Sequence, residues 1–348
     1  MQFHWAMPRR AAEASVIAAA RAGDEAAFAT LVQRYGRELH VHCYRMLGSL
    51  DDAEDAVQET FLRAWRHRAR FSLEGRWSFR AWLYRIATNA CLDVLARRPR
   101  RVLPWDVAPP ADPTIPPPPP ADLPWLDPYP GRLLEELASS EPEPDAAAIG
   151  RETIELAFLV AIQHLPPRQR AALLLRDVLG WPARDVAAAL ETTVAAANSA
   201  LQRARATLRK RLPERRVEWT APQPTEEERA LLRRYMEAQE RRDAATVTAL
   251  LREDARVAFP PLPLWYAGRD DFRTASDKFA LPGDYRLVAT VANGQPAIAA
   301  YLRPPGDSAY RPLVIEVLRI EDGRIAEVID FTDTRLFAAF GLPLTLER

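Results

Sequence analysis

Residues 102–142 contain 13 of the chain's 31 prolines, five of them in the run Pro116–Pro120. Proline fixes φ and has no amide hydrogen, so this stretch cannot hold a regular helix and tends to extended polyproline conformation. A chain of 348 residues is already long for one domain. The segment therefore reads as a semi-rigid linker, and the sequence on either side of it must fold as separate units. One part of it is unusual. PWLDPYPGRLLEEL (124–137) carries Trp125, Leu126, Tyr129, Leu133 and Leu134, which a connector kept in water does not need. This piece either docks on a folded domain or forms the first turn of the next domain's helix.

Charge follows the same partition. The chain is neutral overall, but 1–101 carries +6, 102–142 carries −6, 143–216 carries +4 and 217–348 carries −4. The two basic blocks suit a polyanionic partner, and the acidic parts suit contact with those blocks. Cys43 and Cys91 each lie in an apolar helical pattern and read as buried, reduced thiols of a cytoplasmic protein. His40, His42 and Cys43 lack a fourth ligand and a ligand spacing, so they read as helix packing and no metal is expected. No apolar run approaches the roughly 20 residues of a membrane span. The start, MQFHWAMPRR, has no apolar core of signal-peptide length.

Residues 11–101 are helical in pattern, with breaks expected at Gly23-Asp24 and Gly48-Ser49 and an N-cap at Ser78. The stretch 165–212 divides into a helix from Pro167, a short helix PARDVAAAL (182–190), a turn at Glu191-Thr192, and a longer helix capped by Thr193. Such an order predicts a helix-turn-helix. Ala197, Leu201 and Ala204 fall on one face, which leaves Asn198, Ser199, Gln202 and Arg203 outside. Asn, Gln and Arg can make bidentate contacts with base edges, and Arg205, Arg209, Lys210 and Arg211 can reach phosphates. A plain amphipathic helix would show the same charges but would not require the short helix before it.

This stretch resembles region 4 of bacterial sigma-70-family factors of the extracytoplasmic-function group, in which LPPRQR opens the domain. The resemblance implies that Asn198, Ser199, Gln202, Arg203 and Arg205 bind the −35 promoter element. The family's usual Gly at the turn is Glu191 here, and its usual basic residue before Ser199 is Asn198. The first bears on the turn geometry, the second on the promoter sequence read. An independent likeness lies upstream. DDAEDAVQETFLRAW (51–65) resembles the region 2.2 helix, which implies that Asp51, Asp52, Asp55, Gln58 and Glu59 meet the clamp coiled coil of the polymerase β′ subunit. Residues 70–101 resemble regions 2.3 and 2.4, which melt and read the −10 element. Aromatics there can stack on unpaired bases, and Phe71 or Trp77 are the candidates; Trp82, Leu83 and Ile86 read as core. Asn89 matches the base-reading position, and Arg97, Arg98, Arg100 and Arg101 suit the phosphate backbone.

After Pro224 the pattern changes. Two helices (TEEERALLRRYMEAQERRD, DAATVTALL) precede the strand-like runs ARVAF, YRLVATVAN, AIAAYLR, RPLVIEVLRI and RIAEVIDF, with turns expected at Asn293-Gly294 and Asp322-Gly323. They predict a separate α+β domain built on an antiparallel meander. Residues 259–272 and 315–337 give it a resemblance to SnoaL-like domains, which share the cone-shaped fold of nuclear transport factor 2. Tyr235, Trp265, Tyr266 and Asp330 are the candidates for a pocket lining.

The expected architecture is thus multidomain. Region 2 as a helical bundle (11–101), the acidic linker (102–142), region 4 as a helix-turn-helix (143–216) and the SnoaL-like domain (222–348) follow in order. The expected function is promoter-specific initiation with core RNA polymerase, through the β′ clamp and the β flap, without enzymatic activity or cofactor. The C-terminal domain is expected to contact the sigma domains and modulate them. The alternatives are a helix-turn-helix regulator independent of polymerase, and an isomerase or cyclase fused to a DNA-binding module.

Overall fold

The computed structural model describes residues 6–72, 77–140, 154–212 and 225–347. The expected ends of the linker at 142 and of the two flanking domains at 143, 216 and 222 lie outside these residues. The chain forms two compact units that exchange segments. One comprises Met1–Arg100, Leu137–Gly150 and Ala161–Arg216; the other comprises Arg101–Glu136, Arg151–Val160 and Val217–Arg348.

In the helical unit, α1 (Ala6–Ala22), α2 (Glu25–Leu47), α3 (Leu50–Arg66) and α4 (Phe79–Leu95) form a bundle. The breaks fall where the sequence places them. Asp24 accepts from the amides of Ala26 and Ala27 at 2.9 and 3.0 Å, and Gly48, at φ 68°, closes α2 through its amide to Tyr44 O. A non-glycine residue would be strained in that left-handed turn. Leu31, Leu39, Met46 and Leu83 are fully buried between the helices. Each such side chain contributes about 1.5–3 kcal/mol relative to leaving it in water. His42 is also buried and its ring bonds the Thr88 hydroxyl at 2.9 Å.

The sheet unit receives much of the proline-rich segment. Tyr129 and Leu126 are 1% exposed, and Tyr129 pairs its backbone with Asn293 through two hydrogen bonds of 2.8 Å. Of the two expectations for 124–137, docking is the one seen: Tyr129 leads directly into α5 (Gly131–Ser140), whose residues through Glu136 belong to this same unit. Upstream, Ala111 N donates to Trp265 O at 2.9 Å and Ala121 N donates to Pro261 O at 3.0 Å. Among α6 (Leu156–Gln163) residues, Leu156 N donates to Gln295 Oε1 at 3.0 Å.

Further along lie α7 (Pro167–Leu173), α8 (Ala183–Ala189) and α9 (Val194–Arg211) of the helical unit, then α10 (Glu226–Glu240), α11 (Ala244–Leu250) and α12 (Arg269–Phe279) of the sheet unit. Thr225 and Glu228 make a reciprocal capping box at the start of α10. The six-stranded sheet comprises β1 (Leu251–Ala258), β2 (Trp265–Ala267), β3 (Asp284–Ala292), β4 (Gln295–Arg303), β5 (Arg311–Glu321) and β6 (Arg324–Phe331), in the order β2-β1-β6-β5-β4-β3. Asn293-Gly294 and Asp322-Gly323 turn the hairpins with positive φ at both residues of each pair. The meander expected from the sequence is present in β3–β6. It is not the whole sheet, since β1 joins β6 in parallel and the three-residue β2 pairs on its far side.

Candidate nucleic-acid interface

The helix-turn-helix is built by α7, α8 and α9. After Leu173 the first helix continues for one wider turn, Leu174–Val178, and Gly180 takes φ 68°. Glu191 adopts φ 51°, so the turn keeps the left-handed geometry that glycine favours, now on a non-glycine residue. Thr193 Oγ1 then accepts from Ala196 N at 3.1 Å and starts α9. Ala197, Leu201, Ala204 and Leu208 are buried, whereas Asn198, Ser199, Gln202 and Arg203 are exposed. These four form one continuous outward face. Arg205 is exposed but engaged: Asp177 holds it by two bonds of 2.8 and 2.6 Å, and that carboxylate raises the guanidinium's pKa further. Its Nε and Nη2 are taken up by this pair.

Around α4 the candidates are dispersed. Phe71 is buried, with its ring 5.3 Å from Phe79 and 5.2 Å from Trp82, so it serves the core here and offers no stacking surface. Trp77 is half-buried, 5.4 Å from Trp181. Asn89 is half-buried, and Arg97 is exposed. Arg98 is paired with Asp52, and Arg100 bonds His164. Arg101, in the sheet unit, donates to Trp125 O at 3.3 Å.

On α3, Asp51, Asp55 and Gln58 are exposed and Glu59 is half-buried against Arg63 at 2.6 Å. Asp52 departs from the expected acidic face. It is 6% exposed because Arg98, distant in sequence, folds over it.

One polar centre of this unit was not expected from the sequence. Arg170, in LPPRQR, is 1% exposed and donates to Met46 O, to Gln163 Oε1 at 2.7 Å, and to the carbonyls of Gln163 and Leu165 at 2.9 and 3.4 Å. Its Nε has no acceptor among the described residues. Burial lowers its pKa to about 10. Arg170 joins the first helix of the DNA-binding motif to the C-terminal end of α2, where free carbonyls favour a cation. Arg85 and Glu191 add an exposed pair at 3.4 Å.

The sheet unit encloses a cavity of about 530 Å³ between its helices and the concave sheet face, lined by Phe259, Leu264, Tyr266 and Phe272 with Glu316 and Asp330 among its polar residues. Of the expected lining, Tyr266 and Asp330 are present. Tyr235 lies behind Glu316 as its hydrogen-bond donor, and Trp265 Nε1 turns away to Ala108 O at 2.9 Å. Glu316 and Asp330 are opposed residues of β5 and β6. Gln239 Nε2 also donates to Glu316 Oε2 at 2.8 Å, while Asp330 Oδ1 has no partner among the described residues. Burial pushes the Glu316 carboxyl up to about 7 and the Asp330 carboxyl well above the usual range, the latter helped by Glu316 beside it. Leaving a buried oxygen unmatched costs about 1–3 kcal/mol. Glu316 was missed in the sequence, although a lone carboxylate in the apolar run LVIEVL marks it.

Family models match in the same order. Sigma-70 region 2 matches residues 31–101, Sigma-70 region 4 matches 155–208, and a SnoaL-like domain matches 232–328. The chain is 43% identical over 330 residues to the ECF RNA polymerase sigma factor SigG of Mycobacterium tuberculosis, covering 94% of this chain and 86% of that protein. The ECF sigma factor SigW of Bacillus subtilis is 28% identical over 191 residues, 55% of this chain and 91% of that protein. In fold, the chain is similar to the crystal structure of the extracytoplasmic function sigma factor SigJ of M. tuberculosis. That match has a TM-score of 0.56 and 23% identity, over 91% of this chain and 99% of SigJ. With the helix-turn-helix formed and the similarity running through both helical segments and the sheet domain, the chain belongs to the extracytoplasmic-function sigma factors of bacterial RNA polymerase.

Proposed function

We propose that this sigma factor reads its promoter through residues of α9 and of the α4 region and meets core polymerase through α3. Asn198, Ser199, Gln202 and Arg203 on α9 read the −35 element by base-edge hydrogen bonds, with Arg209, Lys210 and Arg211 holding phosphates. Asp51, Asp55 and Gln58 on α3 meet the polymerase clamp, and Trp77, Asn89 and Arg97 serve the −10 element. The observation that carries this reading is the division of α9 into a buried face of alanines and leucines and an exposed polar one.

The arrangement described corresponds to an unengaged state. Elements centred at −10 and −35 lie roughly 85 Å apart along a duplex that rises 3.4 Å per step. Within the helical unit, Trp77 stands 5.4 Å from Trp181 of the DNA-binding motif, so the two readers cannot reach both elements at once. Engagement requires Arg170 to leave Met46 O and Trp77 to leave Trp181. The SnoaL-like domain modulates this transition, because it holds residues 101–136, the connector between the two readers.

In vitro transcription with core polymerase over a promoter library tests the assignment. Arg203→Ala should reduce output from promoters that depend on the upstream element roughly tenfold while leaving recovery of core polymerase unchanged. An unaltered promoter profile for both Arg203→Ala and Asn198→Ala removes α9 as the reader.

A further inference from the structure

The cavity of the sheet unit has two features that a packing defect lacks. Its apolar wall is interrupted by a carboxyl pair on one face of the sheet, and the two members are unequally served. Glu316 accepts from both Gln239 and Tyr235, whereas Asp330, 9% exposed, lines the cavity and its buried Oδ1 has no partner among the described residues. At about 530 Å³ the space has the size of a small-molecule site. The second feature is its mouth. Pro117 lines the cavity, in a stretch tied to the sheet unit on either side by Ala111 N to Trp265 O and by Ala121 N to Pro261 O. Upstream, Trp105 lies beneath the Arg256 guanidinium at 4.5 Å and beside Trp265. The stretch between the anchors at Ala111 and Ala121, here termed the strap, puts Pro117 in the cavity wall.

We propose that this cavity binds a small, largely apolar molecule carrying a hydroxyl group, which bonds Asp330 and, by touching Pro117, fastens the strap. A hydroxyl is the group that fits because it satisfies Asp330 in either protonation state. It donates to the carboxylate and accepts from the acid. A bare cation would gain from one state alone, and a hydrocarbon would offer the Asp330 carboxyl nothing. The occupant bridges β6 to the strap, so binding acts on the segment that connects the promoter-reading helices. Binding itself stands independently of how those helices meet DNA.

The full chain is titrated with naphthol and hydroxybiphenyl, and in parallel with naphthalene and biphenyl. The phenols are expected to bind saturably and roughly tenfold more tightly than their hydrocarbons. Asp330→Leu, which keeps the branched skeleton with two methyls in place of the two oxygens, should erase that preference while still binding the hydrocarbons. Equal affinity of phenol and hydrocarbon for the natural chain, or no saturable phenol binding, overturns the site. Hydrogen exchange at saturating phenol reads the strap: the amides of Ala111 and Ala121 should slow about tenfold. Phenol binding that leaves both amides unchanged overturns the coupling.

Discussion

Each of the two units buries side chains able to carry charge, and each treats them differently. In the helical unit, Arg170 meets four oxygens and His42 meets Thr88, and both tie helices together. In the sheet unit, Glu316 is matched but Asp330, which lines a cavity, keeps a buried oxygen without a partner among the described residues. A buried polar group that is fully bonded adds to stability; one left open lowers it and is retained where something else completes it. Arg170 too leaves its Nε without an acceptor among the described residues, so the contrast is one of setting: Arg170 is packed between helices, and Asp330 lines a cavity.

The sharpest way to break this comparison is pH, since the two centres should respond with opposite signs. His42 is lowered from 6.5 to about 3 by burial. Its unfolded form takes up a proton first, so its contribution is complete above pH 6.5 and lost as pH falls toward 3. The loss is roughly 5 kcal/mol. Native-state hydrogen exchange on α2 should show it, and His42→Leu should flatten the slope. A close second is Arg170→Met, which leaves the carbonyls of Met46, Gln163 and Leu165 without their donor. It should destabilise the helical unit by about 3–4 kcal/mol in denaturant titration, and a loss below about 1 kcal/mol would mean that these oxygens find water instead.

Glu316 runs the other way. Its folded form holds a proton from 4.5, the ordinary value, up to about 7. Its contribution is therefore present below pH 4.5 and lost as pH rises through 7, by about 3 kcal/mol. Exchange on β5, corrected for intrinsic rates, should be slower at pH 5 than at pH 8, and Glu316→Gln should reduce the difference, the remainder coming from Asp330. The smallest effect is also the most diagnostic. Asp330→Leu should raise the stability of the sheet unit by about 1–2 kcal/mol, because it removes an unmatched oxygen without opening a void. If the variant is destabilised instead, Asp330 belongs with Arg170 among the structural groups.

How much of this was legible in the sequence depended on the range of the interaction. The helix-turn-helix is written locally, in Thr193 as cap and in Ala197, Leu201 and Ala204 at helical spacing. The hairpins are written in Asn293-Gly294 and Asp322-Gly323. Asp52 was placed on an exposed face because nothing within one helix reveals Arg98 folding over it. The parallel union of β1 with β6 joins strands separated in the chain by four others, which alternation along a strand does not encode. The strap escaped notice for a compositional reason. Proline-rich sequence reads as solvated, and the anchors at Ala111 and Ala121 are backbone amides that leave no mark on side-chain pattern. Tyr129 and Leu126 did betray their docking, because apolar bulk in a linker needs a place to go.

The central position of β6 carries a consequence for timing. This strand is the sixth and last of the sheet to emerge during synthesis, yet it sits between β1 and β5, so the sheet cannot close before Phe331 has been made. The α9 helix is complete at Arg211, far earlier. At ribosomal speeds of about 5–20 residues per second, the nascent chain spends on the order of ten seconds with its promoter-reading helices finished and its connector not yet clasped. Every newly made molecule thus passes through an unstrapped infancy before the sheet takes hold.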